Sequence, residues 1–183
     1  MQRIVAEVLA CAVFVALTGT AQVKKIQAEK SGTSITYHLV HPLHKIDGVS
    51  KDVECIAEID PTAKAISAVA VSVDVTTFDS DNSNRDSHAM EVIDAIDYPE
   101  AIFKSAHVEK RGDSLFATGQ LTFHGVTHDV VIAARPDWSS SQVSLSGAFS
   151  ILLSEFTIER PSLLMIPVED TLRFTLTVLF KLS

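Results

Sequence analysis

The chain has 183 residues, a net charge of −8 and a hydrophobic fraction of 46%. This length suffices for one domain with a sizeable core, and no shift in composition marks a second domain. Lysine and arginine do not cluster in any stretch, which argues against a nucleic-acid partner. The sequence also contains no glycine-rich phosphate loop, G-x-S-x-G or C-x-x-C motif, so no motif demands an enzyme.

The N-terminal segment, residues 1–21, differs in character from the rest of the chain. Arg3 precedes an apolar run at 8–17, and small residues follow it up to Ala21. This order predicts a secretory signal peptide that is cleaved after Ala21, because the run is too short to span a bilayer. Cys11 in VLAC would suit a lipoprotein, but the apolar run continues well past it, so we favour the secretory peptide.

The mature chain, residues 22–183, is predicted to be one domain, periplasmic or secreted, with no transmembrane segment. It retains Cys55 as its single thiol, so no intramolecular disulfide can form and the fold depends on its core. Within the apolar stretch VECIAEI, we expect Cys55 to be a buried small hydrophobic side chain and not a reactive thiol.

Alternation with a period of two residues dominates the mature chain. In 171–182, apolar side chains alternate with threonine, arginine and lysine, as expected of a half-buried antiparallel strand. Turn sequences such as DPTAK and KRGDS separate the strands. Eight strands predict an all-β fold, either a closed antiparallel barrel or a sandwich. The other seven runs are 34–40, 53–60, 65–76, 101–109, 114–123, 127–135 and 142–151.

Two segments depart from this alternation. Residues 87–97, SHAMEVIDAID, carry apolar side chains at helical spacing, with Asp86 or Ser87 suited to the N-cap and Pro99 ending the segment. We therefore expect one short helix between the third and fourth strands. The segment 154–170 joins the last two strands and is long for a hairpin, so it is predicted to form a functional rim.

The cluster Arg85-Asp86-Ser87-His88 contains the groups of a hydrolytic site. In a catalytic interpretation, Asp86 orients His88 as the base and Ser87 is the nucleophile. Adjacent residues at a helix N-terminus point about 100° apart, so Ser87 and His88 would not converge. We favour a structural role, in which Asp86 caps the helix and Arg85 bonds a nearby carboxylate or carbonyl group.

The histidines offer a second chemical interpretation. HLVHPLH places His38, His41 and His44 three residues apart, but on one strand His38 and His44 would point away from His41. Without a cysteine partner or an H-E-x-x-H motif, a zinc site is disfavoured. His124 and His128 flank a glycine-containing turn and are predicted to be surface residues. A histidine-dependent metal enzyme remains the less favoured alternative, which metal analysis and alanine substitutions would test.

Several short motifs follow one another in a specific order: VHPLHKIDG, NRDSHAM, YPEAIF, GQLTFHGVTHDV and RPSLLMIPVEDTLRFTLTV. Taken together, over about 31–182, the chain resembles YceI-like domains. The resemblance implies an extended, eight-stranded, lipocalin-like antiparallel barrel in a periplasmic protein. It also implies a long apolar cavity for a polyisoprenoid or quinone-like lipid, and no enzymatic activity. One departure is Glu91-Val92-Ile93-Asp94, which stands where the family commonly has S-x-D-F-F-D.

The apolar faces of the strands supply the predicted lining. An eight-stranded barrel is wide enough either to fill with side chains or to hold one slim ligand. Burying one prenyl unit is worth about 3–4 kcal/mol, so several units in line would outweigh the cost of association. We predict no catalytic residue, no metal and no cofactor apart from the bound lipid. The candidate ligand-binding residues are Ile35, Tyr37, Leu39, Phe103, Leu121, Phe123, Leu145, Phe149, Leu172, Phe174 and Leu176.

The main alternative is a solid barrel whose loops bind a partner. Leu163, Leu164, Met165 and Ile166 would then form the contact patch, whereas in a lipid-binding protein they would form the cavity mouth or a lid. Polar substitutions there would weaken partner capture in the first case and lipid loading in the second. A homodimer is also compatible with the sequence, which specifies neither the ligand nor its chain length.

Overall fold

The computed structural model describes residues 22–182, so the predicted signal peptide and Cys11 lie outside the described residues. None of the helices in this part of the chain is long and apolar enough to cross a membrane. One α-helix, α1 (Ser83–Val92), is present among the described residues. The strands are β1 (Lys24–Gln27), β2 (Ser34–His41), β3 (His44–Ser50), β4 (Val53–Asp60), β5 (Ala65–Asp74), β6 (Glu100–Arg111), β7 (Ser114–Phe123), β8 (Val126–Trp138), β9 (Gln142–Leu152), β10 (Ser162–Leu163), β11 (Ile166–Pro167) and β12 (Thr171–Lys181).

Ten of the strands form one antiparallel sheet, in the order β1-β4-β5-β6-β7-β8-β9-β12-β2-β3. The sheet curls so strongly that the chain near one edge approaches the chain near the other edge. Ala28, directly after β1, bridges to Phe180 in β12, and Val49 in β3 bridges to Asp79 beyond β5. This curled, lipocalin-like antiparallel sheet confirms the predicted all-β fold class.

The number of strands was predicted incorrectly, since the sheet has ten strands and not eight. The two missed strands, β1 and β3, lie at the edges of the sheet. Most of β1 is exposed, and β3 is exposed at His44, Lys45 and Asp47. Their sequences, KKIQ and HKIDGVS, are short and charged, so they show little of the apolar alternation that marks a half-buried strand. As a consequence, α1 lies between the fifth and sixth strands and not between the third and fourth.

The boundaries of the helix were also predicted incorrectly. It begins at Ser83 and ends at Val92, whereas the prediction was 87–97. Its N-cap is Asn82, whose side chain accepts a hydrogen bond from a backbone N–H of the first turn, and Asp86 lies inside the helix. The apolar spacing placed the end of the helix too late because the spacing continues past Val92 into a turn, where Ile96 is 97% exposed.

Two irregularities bend the sheet. In β6 the register shifts between Ser105 and His107, opposite Gly119 in β7. A Cβ atom at Gly119 would lie 2.2 Å from the carbonyl oxygen of Lys104, so glycine alone allows the two backbones to approach this closely. A second register shift separates Glu58 from Ile59 in β4. Such bulges increase the local twist and help the sheet to curl.

Buried apolar side chains form two main clusters at opposite ends of the barrel. The first, which we call the closed-end cluster, consists of Cys55, Ala57, Ile59, Ile66, Leu115, Val143, Leu145, Val178 and Phe180. Cys55 is buried as predicted, and burial raises the pKa of its thiol to about 12. The second cluster surrounds Phe156 and joins the inner faces of β7 and β9 to the chain that follows β9.

Candidate functional site

The curled sheet encloses a cavity of about 260 Å³. On the same measure one water molecule needs roughly 10–15 Å³, so the barrel is open inside and not filled with side chains. The cavity extends from the closed-end cluster, where Cys55 and Leu115 border it, to Met90 of α1 and Ile158. Its wall is built almost entirely from apolar side chains.

All eleven residues predicted as lining border this cavity. The alternation of each strand places them on the inner face, and the curl of the sheet turns these faces toward one another. The structure therefore brings the predicted set together, although their contact with a ligand stays a proposal. They are Ile35, Tyr37, Leu39, Phe103, Leu121, Phe123, Leu145, Phe149, Leu172, Phe174 and Leu176.

The sequence reasoning missed other parts of the lining. Val69, Val71 and Val73 of β5 border the cavity, and the alternation in AISAVAVSVD would have identified them. Met90 and Ile93 also border it, but only the packing of α1 and the following turn against the barrel brings them there. That packing joins elements that are distant in sequence and has no local signature.

Aromatic rings form one wall of the cavity. Phe149 and Phe174 face each other on β9 and β12, and their rings stack with centroids 4.8 Å apart. Tyr37 on β2 pairs with Phe174 and extends the row. A Cβ atom at Gly48 would lie 2.4 Å from the Tyr37 ring, so the glycine makes room for it. Burial raises the pKa of the Tyr37 phenol above its ordinary value.

The end of the cavity opposite the closed-end cluster, which we call the open end, is bordered by ionisable groups of α1. Arg85, Asp86 and His88 all border the cavity. Asp86 accepts hydrogen bonds from the Ser80 backbone N–H and hydroxyl group, while Arg85 donates to the Ser80 hydroxyl and carbonyl oxygens. The structural role of Arg85 is thus confirmed, and the pair anchors α1. The His88 side chain is 63% exposed beside Glu91, so this end of the cavity faces solvent.

Two histidines hold the chain that follows β9, residues 153–158, which we call the lid segment. The Nδ1 atom of His124 lies 2.9 Å from the Phe156 carbonyl oxygen, and Nε2 of His128 lies 2.8 Å from that of Glu155. Phe156 is fully buried, with its ring 5.1 Å from the His128 ring. Both histidines are half-buried and not free on the surface as predicted, because the lid segment folds back onto them.

The three histidines of HLVHPLH do not converge on one point. His38 contacts Asp47 and Thr175 at 2.8 and 2.9 Å. His41 and His44 face each other across the β2–β3 hairpin, with ring centres 5.0 Å apart, because the chain reverses between them. Their predicted opposite orientation was therefore wrong. Within residues 22–182, no group of three or more His, Cys, Asp or Glu side chains is arranged to hold a metal ion.

The small β10–β11 hairpin and its flanks, residues 161–168, form what we call the hairpin tip. Pro161 and Val168, at its two ends, border the cavity. The predicted exposure of its four large apolar residues is confirmed. Their exposed fractions are 47% for Leu163, 77% for Leu164, 96% for Met165 and 39% for Ile166.

A curled antiparallel sheet around an apolar cavity, packed at one end and covered by a helix and a lid segment at the other, defines a lipocalin-like barrel. The model of the YceI-like domain matches residues 25–180 of the chain. The protein therefore belongs to the YceI-like family, which confirms the resemblance found in its sequence.

Individual proteins agree with this assignment. Protein YceI of Escherichia coli O157:H7 is 28% identical over 144 residues, which cover 74% of this chain and 75% of that protein. The crystal structure of Burkholderia cenocepacia BcnA matches with a TM-score of 0.75 and 19% identity, covering 83% of this chain and 98% of that one. A polyisoprenoid-binding domain from Saccharophagus degradans matches with a TM-score of 0.62 and 7% identity, covering 87% and 99%. At these identities the two structures share the fold.

Proposed function

We propose that the protein binds a long apolar lipid of the isoprenoid or quinone-like type in the barrel cavity, and sequesters or carries it without catalysing a reaction. The observation that carries this proposal is the cavity itself, about 260 Å³ lined almost entirely by apolar side chains. Such a lining offers few polar groups to bind a hydrophilic ligand or to assist a reaction, whereas it suits a hydrocarbon chain.

The shape of the cavity favours a long chain over a compact ligand. It runs from Leu115 at the packed end to Met90 and Ile158 at the open end. Each prenyl unit buried along this path would contribute about 3–4 kcal/mol before the costs of association and rotor ordering are subtracted. We expect the chain end to lie near the closed-end cluster. Any polar head group would lie near Arg85 and His88, which border the cavity at this end, where the His88 side chain is 63% exposed.

The comparisons support the ligand class, because the chain belongs to the YceI-like family and shares its fold with a domain described as polyisoprenoid-binding. We also propose that the protein acts in the periplasm or after secretion. The predicted signal peptide over 1–21 and the family resemblance support this location.

The proposal predicts that the purified protein retains a lipid. Native mass spectrometry and solvent extraction should find a polyisoprenoid or quinone-like molecule at up to one per chain. Ala117 borders the cavity on β7, so Ala117→Trp should fill the path and reduce lipid retention by about tenfold or more. Ala148 on β9 faces outward and is exposed, so Ala148→Trp is the matched control and should retain lipid as the unmodified protein does.

Two results would contradict this function. One is a protein that yields no lipid on extraction and takes up no polyprenol when it is offered in detergent micelles. The other is equal retention by Ala117→Trp and Ala148→Trp, with both proteins folded by circular dichroism. Equal retention would mean that the lipid adheres to the outer surface and not to the cavity.

A further inference from the structure

The hairpin tip combines features that ordinary packing does not explain. Its sequence, PSLLMIPV at 161–168, contains no charged residue, although the whole chain carries a net charge of −8. Among the described strands, β10 and β11 pair with each other and not with the large sheet. Met165, at the end of the hairpin, is 96% exposed. The tip is thus an apolar projection on an acidic protein.

The backbone of the tip is strained in a way that displays these side chains. Leu164 and Met165 have φ values of 52° and 65°, in the left-handed region. Two-residue hairpin turns of this kind normally contain asparagine, aspartate or glycine, which adopt the conformation at little cost. Two large apolar residues therefore occupy positions that disfavour them and expose them to water. Strain of this kind tends to concentrate at functional sites.

A buried histidine fixes the hairpin tip beside the β2–β3 turn. The Nε2 atom of His41 lies 3.0 Å from the Ile166 carbonyl oxygen, and its Nδ1 atom accepts a hydrogen bond from the Leu43 N–H at 3.2 Å. The backbone N–H of Glu169 donates to the carbonyl oxygen of Val40 at 2.8 Å. Leu43 is itself 62% exposed. The turn thus adds a fifth large apolar residue to the exposed surface.

The two ends of the hairpin tip reach the cavity wall. Pro161 and Val168 stand at the two ends of the hairpin tip and border the cavity, as does Leu39, which precedes the Val40 contact. An apolar chain leaving the cavity here would pass from one apolar surface to another. The tip therefore lies where cargo would enter or leave.

We propose that the hairpin tip is a membrane-docking surface, which inserts into a lipid bilayer so that the cargo passes between the bilayer and the cavity. This inference rests on the proposed function, because a lipid of the proposed class resides in membranes. The tip has no charge and the chain is acidic, so the favoured surface is a zwitterionic bilayer bound by apolar insertion. Binding should therefore depend little on salt, unlike binding by a basic patch.

The test is flotation with phosphatidylcholine vesicles. The unmodified protein should float with the vesicles at both 0.1 and 1 M salt. The double variant Leu164→Ser/Met165→Ser should lose about tenfold or more of this partition, because the two most exposed apolar side chains of the hairpin tip are removed. Ile56→Ser/Val131→Ser is the matched control. It changes two exposed apolar residues on the barrel wall, 47% and 54% exposed, and should float as before.

Three outcomes would overturn the docking proposal. The unmodified protein could fail to float, or the tip variant could float equally well. Alternatively, the tip variant could abolish self-association in analytical ultracentrifugation without any vesicle binding, which would assign the patch to a second copy of the chain. Unchanged melting temperatures would show that the variants are folded, as expected for exposed positions.

Cargo transfer separates this proposal from the proposed function. A polyprenol is offered either in phosphatidylcholine vesicles or in mild detergent micelles. The tip variant should load normally from micelles and slowly from vesicles, whereas the unmodified protein should load from both. Loading from neither source, with vesicle flotation intact, would refute the lipid-binding function and leave docking standing. Equal loading of both proteins from vesicles would refute docking as the route of transfer.

Discussion

The two ends of the barrel are built on different principles. At the closed end, Val143 and Phe180 are completely buried and their neighbours are apolar. At the open end, the hairpin tip exposes large apolar side chains, and its backbone at Leu164 and Met165 is left-handed. Burial of apolar surface is the main favourable term in folding. Both ends therefore contribute buried apolar surface to stability, through the closed-end cluster and the cluster around Phe156. Only the open end also exposes large apolar side chains, at the hairpin tip.

Polar contacts show the same contrast. Burial alone raises the pKa of Cys55 at the closed end, since no charged partner contributes. At the open end, Asp86 and His124 use side-chain hydrogen bonds to hold α1 and the lid segment in place. Packing thus orders one end of the barrel, and hydrogen bonds supplement it at the other. Substitutions at the two ends should consequently differ in their effects on stability and on loading.

The largest effect is expected from Phe180→Ala at the closed end. The ring is fully buried, so its removal should lower the free energy of unfolding by about 3–5 kcal/mol. Phe174→Ala is the matched change in the cavity wall. Phe174 is half-buried and borders open space, so its loss creates less new cavity, and we expect roughly half the cost. Urea denaturation of both variants measures the difference.

The two phenylalanine variants should also differ in lipid retention. Phe174→Ala should weaken it, whereas Phe180→Ala should leave it nearly unchanged while the protein is folded. Equal losses of stability would contradict the proposed division between a packed end and an open one. Equal losses of retention would show that the ligand reaches past the lining residues Cys55 and Leu115 to Phe180, which does not border the cavity.

A smaller effect is expected from Asp86→Ala at the open end. This change removes the acceptor for the Ser80 backbone N–H and hydroxyl group and should cost about 1.5–3 kcal/mol, because the acceptor is charged. Amide hydrogen exchange should accelerate over 80–92, while the closed-end strands stay protected. Asp86→Asn keeps an oxygen acceptor and should lose less. Faster exchange at Cys55 as well would mean that the two ends unfold together.

The barrel could be predicted from sequence because alternation specifies which face of a strand a residue occupies. The run 171–182 illustrates this, since its inward residues Leu172, Phe174 and Leu176 all border the cavity. The open end could not be predicted in the same way. His124 and His128 bind the lid segment through contacts between residues about 30 positions apart, which leave no local pattern.

The helix shows a second limit of prediction. Asn82, Asp86 and Ser87 are all residue types that cap helices well, so propensity does not choose among them. In the structure Asp86 instead accepts a hydrogen bond from Ser80, while the Asn82 side chain accepts the one from the Arg85 backbone N–H. Similarly, no sequence pattern separates a filled barrel from a hollow one, because lining and core residues are equally apolar.

The smallest predicted effect concerns Asp170, which ties the start of β12 to the lid segment. Its carboxylate accepts hydrogen bonds from the Ser154 backbone N–H at 2.9 Å and from the Ser154 hydroxyl group at 2.6 Å. These hydrogen bonds lower the pKa of Asp170 below its usual value. Since the carboxylate is favoured in the folded state, it stabilises the fold above its unfolded-state pKa of about 3.9. This contribution is lost as the pH falls through the lower, folded-state value.

Asp170→Asn should therefore be slightly less stable than the unmodified protein at pH 7, and the difference should be the same at pH 5. Below about pH 4 the difference should shrink, because the unmodified side chain becomes protonated and the asparagine does not titrate. Urea denaturation at these pH values measures the difference in the free energy of unfolding. Phe180→Ala is the control, since an apolar truncation at the closed end adds no titrating group. A difference that grows on acidification would show that Asp170 is better bound when protonated, and that the lid segment is held by another contact.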